Sequence, residues 1–339
     1  SGRLQAVGGG VVMVGQSTTL NELVVNQAGT VRARSVGLRN GEIVLGAGGE
    51  NDVRIGGTLD ATGTARAGGR IDVSAGRVRV ENATLDASGD TAGGTVQVRA
   101  NAGLALAPGV IVRADGRAGN AAGGEIRLGA TDMESSLDGM HLSGTLSANG
   151  AGSGAGGLVS VGATAVGVGS DLAVSASGGA GGGANGRWEL GSGRQLIVSK
   201  DGPAYDPTNF FDGVGAGSSQ VHGGAIGAAL GRGTDVRLQS SAENAEGVRQ
   251  MYGVYFDNGS QVVKSEGRDA ALRVDSATGI GMLAGSAIQS KSGALHVDFN
   301  ADAEGTVPGP GDAPLASDIG APIPLGGAVN ETNGGKVRF

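Results

Sequence analysis

The side chains suited to acid–base or nucleophilic work are few and scattered. There are three histidines, His141, His222 and His296, far apart in the chain, and no Gly-x-Ser-x-Gly elbow accompanies them. A hydrolytic triad needs a nucleophile, a base and an orienting group within reach of one another, so the three histidines read as structural or surface residues. Glycan cleavage needs paired carboxylates, and calcium sites need clustered ones. Asp60, Asp72 and Asp86 come nearest, but they fall at outward positions of different strands. The column holding Asp60 and Asp86 continues as Arg113, Ser147 and Ser175 in later repeats. No catalytic, cofactor-binding or metal-ligating residue is assigned, and no cofactor is expected.

Two other residue sets suit contact better than catalysis. All aromatic residues lie from Trp188 onward, and Tyr205, Phe210, Phe211, Tyr252 and Tyr255 are candidate ligand contacts. Asn82, Asn258 and Asn330 head Asn-x-Ser/Thr sequons; they are candidate glycosylation sites, although chance alone can supply three. The stretch GGENDVRIG, from Gly48 to Gly56, has a faint likeness to a Gly-rich calcium-binding nonapeptide. Its Asp is one place early and the motif is not repeated, so it reads as a turn. Gly-x-Gly-x-x-Gly matches are uninformative at this glycine content.

These residues must be positioned by an unusual chain. Of 339 residues 70 are Gly, roughly three times the usual ~7%, with only 8 Pro and no collagen period. The 39% hydrophobic content, scattered as pairs of Val, Ile and Leu, argues against disorder. Aromatics are 3% and Cys is absent, so the core must be thin and repetitive, without disulfides or thiolate metal sites. Absent cysteine is either plain absence or the mark of a chain exported unfolded. A net charge of −7 without a Lys/Arg cluster makes nucleic acid and anionic membrane poor partners. No apolar run is long enough for a membrane span, and no signal peptide opens the chain, so it reads as mature or as a fragment.

Self-similarity supplies the architecture. Units open at the second glycine of a pair, at Gly69, Gly94, Gly124 and Gly157, with a further start at Gly186; the spacings are 25, 30, 33 and 29. Two residues later stand Ile71, Val96, Ile126, Val159 and Trp188, then Val73, Val98, Leu128, Val161 and Leu190. Period two means strand. A middle pair follows in most copies (Val78 with Val80, Leu104 with Leu106, Val166 with Val168), and each unit closes on LDATG at Leu59–Gly63, LDASG at Leu85–Gly89, VRADG at Val112–Gly116, LSANG at Leu146–Gly150 or VSASG at Val174–Gly178. In this closing motif Leu or Val points inward, Ala fills a corner, and a polar residue followed by Gly is expected to make a turn with a side-chain hydrogen bond and positive φ. Helix is a weak competitor, because Gly costs about 1 kcal/mol relative to Ala in a helix interior. The expected fold is all-β, a right-handed parallel β-helix (solenoid) with three short strands per coil, roughly a dozen coils and ~60 Å of rod.

Along the chain, residues 1–200 read as regular coils. Residues 201–224, with Pro203, Pro207, Tyr205, Phe210 and Phe211, read as an irregular loop, either a disordered excursion or a packed flap. Coils return over 225–305, where Val254 and Phe256 alternate with Tyr255. A Pro/Gly-rich loop follows at 306–328, and 329–339 opens another coil.

The order of these motifs, from GRLQAVGGGVVMVG through the Gly-Gly coils and GGGANGRWELGSGRQLIVS to ETNGGKVRF, resembles the exoproteins of bacterial two-partner secretion, the filamentous haemagglutinin and high-molecular-weight adhesin group, over nearly the whole chain. The resemblance implies a rod secreted to a Gram-negative cell surface through an outer-membrane transporter barrel. It also implies action in attachment, aggregation or biofilm formation, by binding glycan, exopolysaccharide or matrix. The Asn-Pro-Asn-type motifs of the family's secretion domain are not found, which places the chain just after that domain. Two alternatives stay open: a polysaccharide-cleaving β-helix enzyme, and the stalk of a contact-dependent toxin-delivery protein.

Overall fold

The structure is a computed structural model that describes residues 2–7, 9–15, 17, 23–34, 41–48, 51–129, 139–206, 218–240, 253–301, 328–329 and 332–338. Every strand pairing among the described residues is parallel. The chain winds as a parallel β-helix in which each turn lays strands on three faces. Face I is a seven-stranded sheet from Arg3–Val7 to Ala173–Ser175. Face II runs from Gly10–Val14 to Val337–Arg338, and face III from Leu23–Gln27 to Ile280–Met282. In two coils faces II and III share one long strand, Arg70–Val80 and Thr95–Leu106.

Alternating sequence becomes an alternating surface. Ile43, Ile71, Val96, Ile126, Val159, Trp188, Val236, Leu272 and Val297 stack in register up face II, and all are buried. Val31, Leu59, Leu85, Val112, Leu146 and Val174 do the same on face I. Each buried aliphatic contributes roughly 1.5–3 kcal/mol, and a thin core of such ladders needs no large aromatic centre.

The glycines work differently from the expectation. Positive φ was expected at Gly63, Gly89, Gly116, Gly150 and Gly178, yet none of them has it. A Cβ on any of these would collide with backbone, as on Gly63 with the Ala67 carbonyl. The pair glycines obey the same rule: a Cβ on Gly94, Gly124, Gly157 or Gly186 would strike the carbonyl oxygen of Gly69, Gly94, Gly124 or Gly157, one coil below. That carbonyl accepts the next coil's N–H, as Gly94 O does from Glu125 N at 2.9 Å. Close stacking at the corners, rather than chain reversal, selects glycine there.

One helix, α1 (Gly223–Gly231), interrupts the all-strand pattern. The stretch 201–224, read as irregular, also contains the strand Ser219–His222. On face I the helix stands between Ala173–Ser175 and Gln261–Lys264. Between the coils that carry those two elements, face II holds one strand, Arg187–Ser192, and face III holds two, Ser219–His222 and Leu196–Ser199, stacked between Val166–Val168 and Val254–Phe256. A helix is about 10 Å across, and two parallel strands occupy about the same width. One helix therefore matches the height of the two face III strands. GGAIGAALG can do so because its residues are small: a Cβ on Gly227 would crowd Val263 O on the neighbouring strand.

Candidate functional site

The carboxylates come first, because glycan chemistry would need them. Asp60 faces outward, alternating with the inward Leu59, but is covered there by Arg32 and Arg34, at 2.8 and 2.9 Å, and accepts from the Thr62 hydroxyl at 2.7 Å. Asp72 likewise faces outward, between the inward Ile71 and Val73, and is covered by Arg70 at 2.6 Å and Arg99 at 2.8 Å. The arginine side chains fold over these positions and close them to water. Glu81 is held by Arg54 and Arg79, Asp52 of the nonapeptide-like stretch is gripped by both ends of Arg77, and Asp275 lies between Arg237 at 2.6 Å and Arg273 at 2.9 Å. Burial alone would push the carboxyls of Asp60 and Asp275 up. Hydrogen bonds from Arg34 and Thr62 to Asp60, and from Arg273, Arg237 and Asn300 to Asp275, outweigh it and hold both below the ordinary carboxylate value. Asp86 sits beside Asp60 in the ladder and binds the Ser88 N–H at 2.9 Å. Among the described residues no three His, Asp or Glu side chains converge.

A second polar group is assembled on face III. His141, Ser143 and Asp171 are linked, His141 Nε2 to Ser143 Oγ at 3.2 Å and Ser143 Oγ to Asp171 Oδ1 at 3.0 Å. The serine proton goes to the carboxylate, so Ser143 Oγ accepts from His141, and His141 Nε2 carries a proton. That direction is opposite to what activating a serine nucleophile requires. His141 is buried, and burial pushes its pKa down against the pull of Asp171. Its cover is the segment Asp201–Asp206. Pro203 is buried there, and the Tyr205 ring lies 5.4 Å from the His141 ring. The Tyr205 hydroxyl bonds Arg79, two levels away across Ala105.

Of the sequence-derived contact residues, the two described tyrosines, Tyr205 and Tyr255, lie at separate places. Tyr205 packs inward, half-buried. Tyr255 is half-buried on face III, its ring against Gly253 and Gly281. Phe210, Phe211 and Tyr252 lie outside the described residues, as does Asn330. Asn82 is exposed with φ +49°, just before Thr84–Asp86, and Asn258 is exposed in a turn whose sequon partner Ser260 is buried. His222 borders the covering segment at Gly202, and His296 Nδ1 accepts from Lys336 N–H at 3.2 Å.

An open trough of about 630 Å³ runs along the corner ahead of face II. Gly93–Gly94, Gly123–Gly124 and Gly156–Gly157 line it, with Thr95, Glu125, Leu158, Asn185, Arg187 and Asp235. It was not legible as a surface, because the glycine columns read only as turns; the trough is the outer side of the same close stacking. No protein-family model, no curated protein and no solved structure matches the chain.

Proposed function

We propose that this chain is a non-enzymatic, extracellular rod or stalk of an adhesin, which contacts extended polymers such as glycans or matrix along its length. The observation that carries this reading is the use made of the carboxylates. Asp60, Asp72, Glu81 and Asp275 are each held by arginines, most of them reaching from a neighbouring coil. Groups fixed in that way keep the coils together, and Asp60 and Asp275 are held below the ordinary carboxylate value, so neither of these two is poised to give up and recover a proton as glycosidic cleavage requires. A straight stack also repeats its surface at ~4.8 Å, which suits many weak contacts with a linear polymer. Secretion to a Gram-negative surface through an outer-membrane barrel belongs to the same proposal and rests on the sequence resemblance. No described helix is long and apolar enough to cross a membrane.

The test is to incubate the purified chain with a panel of immobilised exopolysaccharides, host glycans and matrix proteins, and to assay each polysaccharide for new reducing ends. Retention without product is expected. Release of reducing ends would replace the proposal with a glycan-cleaving enzyme, and retention on none of the panel would reduce the chain to a passive spacer.

A further inference from the structure

Chain order and spatial order disagree at one place. On face III the strand Ser219–His222 lies between Val166–Val168 and Leu196–Ser199, although it follows both in sequence. On face II the neighbouring strands stack in chain order, Leu158–Ala163, Arg187–Ser192, then Asp235–Ser240. Once Arg187–Ser192 has docked, Leu196–Ser199 hangs from it by only three residues, Gly193 to Gln195, beside the open edge of Val166–Val168. The strand finally found on that edge lies beyond a further connection, residues 200–218. Closing the shorter connection costs less entropy and is quicker.

The early pairing is also chemically sound. Leu196 and Val198 point inward in the native stack, as Ser219 and Val221 do, so either strand can cover Val166 and Val168 without exposing core. We propose that Leu196–Ser199 first pairs with Val166–Val168 and is then displaced by one level as Ser219–His222 inserts, so that the fold is completed by a strand exchange. Ser219 selects the final order. Its hydroxyl, fully buried, accepts the Val166 N–H at 2.8 Å and lies 2.7 Å from Ser192 Oγ; Leu196 in that place offers neither bond. The segment Asp201–Asp206 then closes over the inserted strand, with Gly202 against His222 and Val168 and Tyr205 over His141.

Two readouts test the order in the full chain, which has no native cysteine. In the native stack Val168 and Val198 are two strand spacings apart, roughly 9.6 Å, beyond disulfide reach, whereas Val168 and Val221 are adjacent. During refolding with timed oxidation and quench, Val168→Cys/Val198→Cys is expected to cross-link early and then lose that capacity, while Val168→Cys/Val221→Cys cross-links later. A pair on different faces, Val174→Cys/Val198→Cys, sets the random background. The unsubstituted chain supplies the second readout, because its single tryptophan, Trp188, stacks between Val159 and Val236. Its fluorescence should change in two phases, on docking and on covering. Ser219→Ala should slow the second phase about five-fold, the effect of one lost buried hydrogen bond, and prolong the early cross-link. The proposal is overturned if Val168→Cys/Val198→Cys never exceeds background or if Val168→Cys/Val221→Cys forms first. A Ser219→Ala chain with unchanged kinetics removes Ser219 as the selector.

Discussion

Gly124 and Gly162 both lie along face II, and they carry opposite expectations. A Cβ on Gly124 would strike Gly94 O, whereas one on Gly162 meets nothing within 4 Å and neither has positive φ. Gly124→Ala should lower the midpoint of denaturant unfolding by an amount corresponding to about 1–3 kcal/mol or more, and Gly162→Ala should stay within about 0.5 kcal/mol of the parent. Equal losses at the two positions would refute close stacking as the reason for the paired glycines. His141 makes a pH prediction. Its pKa is held down by burial, so the neutral ring is the form the fold prefers. Its contribution to stability is complete above the unfolded value near 6.5 and is lost as pH falls through the lower folded value. Unfolding midpoints measured from pH 7.5 to 5 should fall for the parent chain and fall less steeply for His141→Gln.

At the scale of elements, polar residues at turns and faces replace part of the backbone ladder. Asp115 N–H donates to Ser88 Oγ at 3.1 Å, Asn149 N–H to Asp115 Oδ1 at 2.7 Å, and Ser177 N–H to Asn149 Oδ1 at 2.9 Å, each stitching one coil to the next. Where these glycine turns end, Arg268 caps them by donating to the carbonyls of Gly178 and Gly183. Lys264 plays a similar part inside face I, where its buried Nζ binds the carbonyls of Glu266, Gly267 and Ser292. The Arg237–Asp275–Arg273 bracket predicts the acid response. Asp275 has a lowered pKa, so its stabilisation is present above about pH 4 and is lost as pH falls through the folded value. Asp275→Asn should therefore destabilise the chain at pH 7 and flatten its acid unfolding profile below pH ~4, followed by circular dichroism. A profile as steep as the parent's would show that other carboxylates govern acid unfolding.

For the whole molecule, repetition at about 4.8 Å per level makes the face II stack roughly 50 Å long. Its hydrogen-bond ladder is continuous, while the face I ladder stops at Ala173–Ser175 and restarts at Gln261–Lys264 across the helix. Among the described residues this is where one face loses its strand-to-strand bonding. Amide exchange under native conditions should be faster in the helix and in Ala173–Ser175 than in Thr145–Ser147 of the same face, which pairs on both sides. Uniform protection along face I would mean that the helix bonds the stack as firmly as a strand.

What could be read from the sequence follows from period and repetition. Ile71, Val96, Ile126, Val159 and Trp188 recur at the same place after a glycine pair, and alternation with a repeating corner leaves few other ways to bury them; hence the parallel stack and its inward columns were legible. Interactions between coils were not. Whether Asp60 faces water depends on Arg32 and Arg34, which lie 28 and 26 residues away, and His141 is covered by Tyr205 from beyond two later strands of face III. The same holds for GGAIGAALG: its glycines argue against helix locally, but a gap two strands high, opened by Ser219–His222 stepping back beneath Leu196–Ser199, accepts a small-residue helix. Local pattern determined which residues face inward; only the stacking of distant coils decided which polar groups meet and where the strand order reverses, because those contacts depend on chain segments far apart in sequence.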